Sequence, residues 1–300
     1  MKKLLRGIAL VLLPIAVYYG VFLGFTGAVG LNNAIPGASA IEAIGRYRKN
    51  PTAGVIIGDS RLAHFNMAQV QATAQVPFTN LAFGGASLAE SLDEAEWLLA
   101  RYPEIDTVVF GLSFYTLNEG YDLGRFETVE KALYNPFATL TNLSFNLELL
   151  QNLAIWLGGG VLGGGESETL DPASYIYVDY TAPSGETVSL RQDIVDYLAA
   201  IAPYTQHWAP DMQAFERLLA LIAQCDEAGI AFVVVLPPMH DAVLDYAVRP
   251  AGIEQAMLPL IAQLKASGAQ VLDYEFTARP ALADSQFFDG FHLDYRRGLP

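Results

Sequence analysis

The sequence predicts an α/β domain built on a parallel sheet. Short apolar runs that stop at turn residues alternate with longer amphipathic runs over residues 53–112, and the alternation returns over residues 211–274. Apolar residues make up 52% of the 300 positions and charged residues 16%, which excludes a disordered chain and provides for a core. The single cysteine, Cys225, excludes an internal disulfide, so packing must hold the fold.

Five elements are predicted in the first stretch. The run at 54–58 is apolar and stops at Gly-Asp-Ser, which is typical of a buried strand that ends in a tight turn. Ser87 and Glu90 stand three residues apart, which is the spacing of a helix capping box. In chain order, the elements are a strand at 54–58, a helix at 66–74, a strand at 76–82, a helix at 87–102 and a strand at 107–112.

The alternation fails between residues 115 and 210, which we interpret as an insertion rather than a separate domain. The insertion contains a helix-like segment at 140–157, a glycine-rich run at 158–165 and a hairpin around 183–185. The elements that follow are a helix at 211–229, a strand at 231–236, a helix at 252–268 and a strand at 269–274. Right-handed crossovers place helices on both faces of such a sheet, so we expect three layers around roughly five strands.

The N-terminus predicts a single transmembrane helix. Lys2, Lys3 and Arg6 precede an uncharged run at 7–31, which is long enough to cross a bilayer. Basic residues keep the leading end in the cytoplasm, so the domain is expected outside the inner membrane, in the periplasm or beyond. The alternative is a signal peptide cleaved near Ala40, which also exports the domain. The predicted parts are an anchor at 1–32, a linker or helix at 33–52 and an α/β domain at 53–300.

Composition and motifs also exclude several partners. The formal charge is −15, from 17 basic and 32 acidic residues, whereas nucleic-acid binding requires a basic surface. No Cys/His cluster has the spacing of a zinc site, and the glycine-rich run lacks the Gly-Lys-Ser/Thr of a phosphate loop. We therefore expect no nucleic acid, metal or cofactor.

Candidate catalytic residues follow the predicted strands, where open parallel sheets bind their ligands. Ser60 follows the first strand, Gly85 the second, and Asp289 and His292 the last. A serine becomes a nucleophile when a histidine takes its proton and a carboxylate orients that histidine, so Ser60, His292 and Asp289 are the predicted catalytic residues. The N–H groups of Ser60 and Gly85 are the predicted oxyanion donors, since glycine lets the backbone approach a substrate closely.

This arrangement resembles the SGNH, or GDSL, hydrolase superfamily. Residues 58–60 read Gly-Asp-Ser, residues 80–85 read Asn-Leu-Ala-Phe-Gly-Gly and residues 289–292 read Asp-Gly-Phe-His, similar to the family's first, second and last blocks. The resemblance implies a three-layer SGNH-like fold and serine-dependent acyl chemistry.

The third block departs from the family pattern. Where Gly-x-Asn-Asp is expected, residues 111–114 read Gly-Leu-Ser-Phe, so the asparagine donor is either missing or replaced by the hydroxyl of Ser113, with Asn118 a weaker candidate. A serine followed by aromatic residues, an anchor and a large insertion are together similar to a narrower group. These are the membrane-anchored SGNH-like proteins that work with membrane-bound O-acyltransferases in teichoic acid D-alanylation and alginate O-acetylation.

The resemblance implies acyl transfer to, or ester hydrolysis on, an exported or cell-surface polysaccharide through an acyl-serine, with acetyl as the expected group. The implied partners are that polysaccharide, a membrane-bound O-acyltransferase and the inner membrane. Two alternatives stay open. One is a stand-alone periplasmic GDSL esterase or lipase, and the other is a non-catalytic, polymer-binding partner of an acyltransferase.

Further residues are candidates for substrate contact, and some have an explicit structural alternative. Arg61 could instead form a salt bridge within the fold, and His240 could be an ordinary loop histidine. Ser60 itself is also a favoured helix cap. The substrate-contact candidates are Arg61, Gly84, Tyr115, Asn118 and His240.

Overall fold

The computed structural model describes residues 2–29, 38–74, 76–135, 138, 143–158 and 175–294. The chain forms two compact units. The first comprises residues 1–42 and 127–167, and the second comprises residues 43–126 and 168–300. Every predicted site residue belongs to the second unit.

The first unit contains two long apolar helices, α1 (Lys2–Val29) and α7 (Leu143–Leu157). The rings of Phe25 on α1 and Trp156 on α7 lie 5.7 Å apart, so the two helices pack on each other. Judged by length and hydropathy, no helix in the described residues qualifies as a membrane span. The predicted anchor therefore stays a prediction, and most of the glycine-rich run at 158–165 lies outside the described residues.

The second unit is an α/β domain around a five-stranded parallel sheet, as predicted. The strand order is β2-β1-β3-β6-β7, and every neighbouring pair is parallel. The insertion adds a separate antiparallel hairpin of β4 and β5, also as predicted. The strands are β1 (Gly54–Ile57), β2 (Phe78–Asn80), β3 (Thr107–Gly111), β4 (Tyr177–Thr181), β5 (Thr187–Arg191), β6 (Ala231–Leu236) and β7 (Gln270–Asp273).

Local sequence signals mark several ends of the helices between the strands. Ser87 caps α5, with Glu90 completing the capping box, and Asp211 caps α9. Gly229 ends α9 in the left-handed conformation at φ +73°, which glycine adopts without strain. Besides α1 and α7, the α-helices of the described residues are α2 (Ala38–Tyr47), α3 (Ser60–Ala63), α4 (Met67–Thr73), α5 (Leu88–Leu99), α6 (Phe126–Ala132), α8 (Gln192–Gln206), α9 (Met212–Ala228), α10 (Asp241–Val243) and α11 (Ile253–Ala266).

Helix α8 is the main element that the sequence analysis did not predict. It follows the hairpin directly, begins at Gln192 without a side-chain cap bond and contains Pro203 in its last turn. Its buried side chains, Ile194 and Leu198, recur at helical spacing, which was the available signal. This helix matters because it forms one wall of the candidate site.

Glu94 on α5 provides a prediction about stability. Its side chain is fully buried, and neither carboxylate oxygen has a hydrogen-bond partner among the described residues. Burial, with the charge of Glu90 one turn earlier, raises the pKa of the Glu94 carboxyl well above its usual value. Because the folded pKa exceeds the unfolded one, this group lowers stability as pH rises above about 4 towards the folded value.

Glu94→Met is therefore expected to raise the free energy of unfolding by about 2 kcal/mol at pH 7, because the desolvated carboxyl is removed and its volume kept. Urea unfolding of the full chain at pH 5 and pH 8 measures both the gain and its pH dependence. Glu216→Gln, an exposed carboxyl on α9, is the matched control. An equal or lower stability for Glu94→Met would contradict the prediction.

Candidate active site

Ser60 stands at the turn that follows strand β1, which lies between β2 and β3 in the sheet. Gly58 makes this turn at φ +148°, and a side chain there would approach the backbone of Gly111 on β3 to 3.0 Å. Asp59 then caps α3 by accepting a bond from the N–H of Arg61 at 2.9 Å, and Ser60 is the first residue of that helix. The cap is thus Asp59, and the alternative that Ser60 is itself the cap is wrong.

The structure brings the three predicted catalytic residues together. Ser60 Oγ lies 2.8 Å from His292 Nε2, and His292 Nδ1 lies 2.8 Å from Asp289 Oδ2. The side chain of His292 is 23% exposed, so the pair is open to a substrate on one side. Since a carboxylate only accepts hydrogen bonds, Nδ1 carries the proton and Nε2 is left to accept from the serine hydroxyl.

Asp289 is held as an ionised carboxylate. Its Oδ1 accepts bonds from the N–H groups of Phe291 and His292, both at 2.7 Å. Burial alone would raise its pKa, but the bonds and charge from His292, with these backbone bonds, outweigh burial and lower the pKa of Asp289 below its usual value. Asp289 is therefore a carboxylate at neutral pH.

The loop that carries Asp289 and His292 is fixed by two side chains from elsewhere in the domain. Arg191, at the end of β5, is buried and donates to the carbonyl oxygens of Asp284, Phe287 and Phe288 at 2.6, 3.1 and 3.1 Å. His240 shares a 3.0 Å bond with the carboxylate of Asp284. The inserted hairpin thus supports the loop of the predicted general base.

The oxyanion donors predicted at Ser60 and Gly85 are available in the described part of the chain, where neither N–H has an acceptor. Gly85 has φ +66°, and its carbonyl accepts from Arg125 Nη2 at 2.6 Å. Arg125 Nη1 lies 3.4 Å from the carbonyl of Gly84. Both carbonyls are therefore held on the side of Arg125, which is itself paired with the buried carboxylate of Glu90 at 2.9 and 3.0 Å.

Ser113 does not supply a third donor, and that prediction is wrong. Its hydroxyl is 1% exposed and donates to Asp59 Oδ2 at 2.9 Å. Tyr115 donates to the same oxygen at 2.5 Å. Ser113 and Tyr115 thus anchor the carboxylate that caps α3, and the cavity is lined by Phe114 and Tyr115 of this block but not by Ser113.

Arg61 is also a structural residue rather than a substrate contact. Its guanidinium is buried and forms a 2.5 Å ion pair with Glu275 Oε1, together with bonds to Ser113 Oγ and the carbonyl of Pro237. It lies 4.0 Å from the centre of the Phe291 ring. The salt-bridge alternative is confirmed, and the predicted contact is wrong. Burial raises the pKa of Glu275 to about 7, although the charge of Arg61 opposes the shift.

The remaining predicted contacts do not line the cavity in the described residues. Asn118 is 8% exposed and bonds to the backbone of Tyr204, Gly120 and Ala209, so it ties loops together. His240 uses one ring nitrogen on Asp284 and the other on the N–H of Ala242, so the loop-histidine alternative is confirmed. Gly84 is exposed, and of the two neighbouring glycines only Gly85 lines the cavity. The side chains of Asn118 and His240 both have partners within the fold, and their contact with substrate stays a prediction.

A cavity of about 190 Å³ opens beside Ser60 and His292. Its walls are mainly aromatic, and three of its residues come from α8, which the sequence analysis missed. The rings contact each other in series, with centroids of Tyr115 and Phe291 at 5.1 Å and of Tyr121 and Tyr204 at 5.8 Å. The lining residues are Ser60, Gly85, Phe114, Tyr115, Tyr121, Tyr197, Ile201, Tyr204, Phe291 and His292.

Comparison with known proteins adds little to this geometry. No protein-family model matches the chain, and no curated protein matches it. Among solved structures, the chain is similar to the crystal structure of a Bacteroides fragilis protein proposed to be an acylhydrolase. The two are 12% identical, the match covers 83% of this chain and 81% of that chain, and the TM-score is 0.37. A likeness this distant does not show the family.

Proposed function

We propose that this protein is a serine-dependent acyl hydrolase or acyltransferase that works through an acyl-serine intermediate. The observation that carries the proposal is the pair of 2.8 Å bonds that link Ser60 Oγ to His292 and His292 to Asp289, beside a cavity. A serine with a histidine base and an ionised carboxylate behind it is suited to attack on an ester carbonyl.

In this mechanism, Ser60 Oγ attacks the ester carbonyl carbon while His292 Nε2 takes the hydroxyl proton. The N–H groups of Ser60 and Gly85 bind the oxyanion of the tetrahedral intermediate. When that intermediate collapses, the bond to the alcohol oxygen breaks, and His292 returns the proton to the leaving alcohol. Water or a second hydroxyl then attacks the acyl-serine, again with His292 as the base, and regenerates Ser60.

The acceptor decides between the two reaction types. Access of water to the acyl-serine gives an esterase, whereas a sugar hydroxyl held there gives a transferase. The family resemblance supports an exported or cell-surface polysaccharide as the ester or acceptor, acetyl as the acyl group and a membrane-bound O-acyltransferase as a partner. The basic residues ahead of the uncharged run at 7–31 support an exported location on the inner membrane.

The proposal is tested by labelling the full chain with a fluorophosphonate and measuring its intact mass. One phosphonyl group is expected on the unaltered protein and on Ser184→Ala, a hairpin-turn control, and none on Ser60→Ala. Labelling of Ser60→Ala to the same extent, or no labelling of the folded unaltered chain, would overturn the proposal. A membrane-impermeant probe, applied to intact spheroplasts, tests the exported location.

A further inference from the structure

The cavity beside Ser60 is larger than an acetyl group needs. Its volume is about 190 Å³, whereas an apolar cavity of about 150 Å³ already holds a benzene molecule. An acetyl group has only two carbons and would leave most of the walls without contacts. By the same measure, the cavity accommodates a group of about six to eight carbons.

The side chains that line this cavity disfavour a charged acyl group. Among the described residues that line it, none carries a carboxylate, an ammonium or a guanidinium group. A charged acyl group, such as an amino acid ester, would lose its hydration without gaining an ionic partner. The lining therefore fits an uncharged group.

The phenol groups also favour an aliphatic chain over a sugar ring. A buried sugar needs a hydrogen-bond partner for each hydroxyl that it buries. The hydroxyl of Tyr115 is already bonded to Asp59, and that of Tyr121 lies 3.3 Å from the carbonyl of Gly85. Burial raises the pKa of Tyr121 to about 12, so its ring is neutral at physiological pH. These two rings contribute mainly apolar surface.

Helix α8 supplies the wall that limits the length of the chain. Tyr197, Ile201 and Tyr204 follow each other at spacings of four and three residues, so they share one face of the helix. Tyr204 is 46% exposed and lies at the outer rim of the cavity. The ring of Tyr197 stacks on that of Phe291, beside the loop of Asp289 and His292, with the ring centroids 5.5 Å apart. Ile201 lies between them and is the aliphatic side chain of this face.

We propose that the acyl group of this protein is an uncharged aliphatic chain of about six to eight carbons, held in this cavity, and that Ile201 sets its length. The inference rests on the proposed function, because it takes Ser60 as the acyl-accepting residue. It replaces acetyl as the expected group and leaves the alcohol side of the ester as proposed above.

The test is the hydrolysis of p-nitrophenyl esters from acetate to dodecanoate by the full chain. We expect kcat/KM to rise about 10²-fold from acetate to hexanoate, since each buried methylene contributes about fourfold, and to fall again by dodecanoate. Ile201→Trp, or Ile201→Phe if the first variant does not fold, is expected to move the optimum to acetate or butyrate. Ala199→Trp, on the exposed side of the same helix, is the matched control and should keep the original profile.

Three other results of this experiment would contradict the inference. A rate for acetate equal to or above that for hexanoate overturns it, and so does an equal loss for every ester in the Ile201 variants. Inhibition by free oligosaccharide, combined with preference for acetate, would assign the cavity to a sugar instead. Failure of the proposed function is distinguishable, because then no ester is turned over and Ser60 is not labelled.

Discussion

Asp289→Asn is expected to lower kcat by about 10³- to 10⁴-fold, with little change in KM. Oδ1 of Asp289 accepts two backbone N–H bonds, so an asparagine keeps its oxygen on that side and turns its NH₂ group towards His292 Nδ1. The ring must then accept at Nδ1 and carry its proton on Nε2. In that tautomer, Nε2 donates to Ser60 and cannot take its proton.

The same variant tests the electrostatics of the site. Because the pKa of Asp289 is lower in the folded protein than in the unfolded chain, the carboxylate stabilises the fold above pH about 4. That contribution is lost as pH falls through the folded pKa. Asp289→Asn should therefore show a weaker loss of stability on acidification from pH 5 to pH 3 than the unaltered protein.

Steady-state kinetics on the best ester and urea unfolding across this pH range measure both effects. Asp196→Asn, an exposed carboxylate on α8, is the matched control and should change neither. A kcat within tenfold of the unaltered protein would show that Asp289 does not set the tautomer of His292. If Asp289→Asn and the unaltered protein lose the same stability between pH 5 and pH 3, the lowered pKa of Asp289 is contradicted.

Much of the fold could be predicted from the sequence because its signals are local. Strand β6 was predicted with its observed bounds at 231–236, since an apolar run between turn residues needs no distant information. The capping box at Ser87 and Glu90 is likewise a pattern within four residues. The juxtaposition of Ser60 with His292 followed from one topological rule, that parallel strands end at the same edge of the sheet.

The parts that could not be predicted depend on contacts between distant segments. Arg61 pairs with Glu275, which is 214 positions later, and no local pattern announces a buried ion pair. The role of Ser113 followed from the position of Asp59, because a hydroxyl that already donates to a carboxylate has no proton left for an oxyanion. Helix α8 begins without a capping side chain and contains Pro203 in its last turn, so it lacks the capping signal that marks the starts of α5 and α9.

Arg125→Lys is expected to lower kcat by about 10²-fold while leaving KM close to its original value. The peptide between Gly84 and Gly85 is trans, so the carbonyl of Gly84 and the N–H of Gly85 point in opposite directions. The fork of Arg125 holds the carbonyls of both glycines, which turns this N–H away from the guanidinium. A lysine keeps the charge beside Glu90 but offers a single ammonium, so it cannot hold two carbonyls in a fixed plane.

The loss should fall on kcat because the N–H of Gly85 is needed most when the oxyanion forms, and a donor displaced by about 1 Å costs about 10²-fold. Steady-state kinetics separate kcat from KM, and a thermal melt checks that the buried pair with Glu90 still supports the fold. Arg217→Lys, in an ion pair with Asp93 and Glu96, is the matched control and should keep full activity. A correctly placed oxyanion donor acts on the transition state rather than on the bound ester. A raised KM with unchanged kcat in Arg125→Lys would therefore contradict the prediction and show that Arg125 supports substrate binding alone.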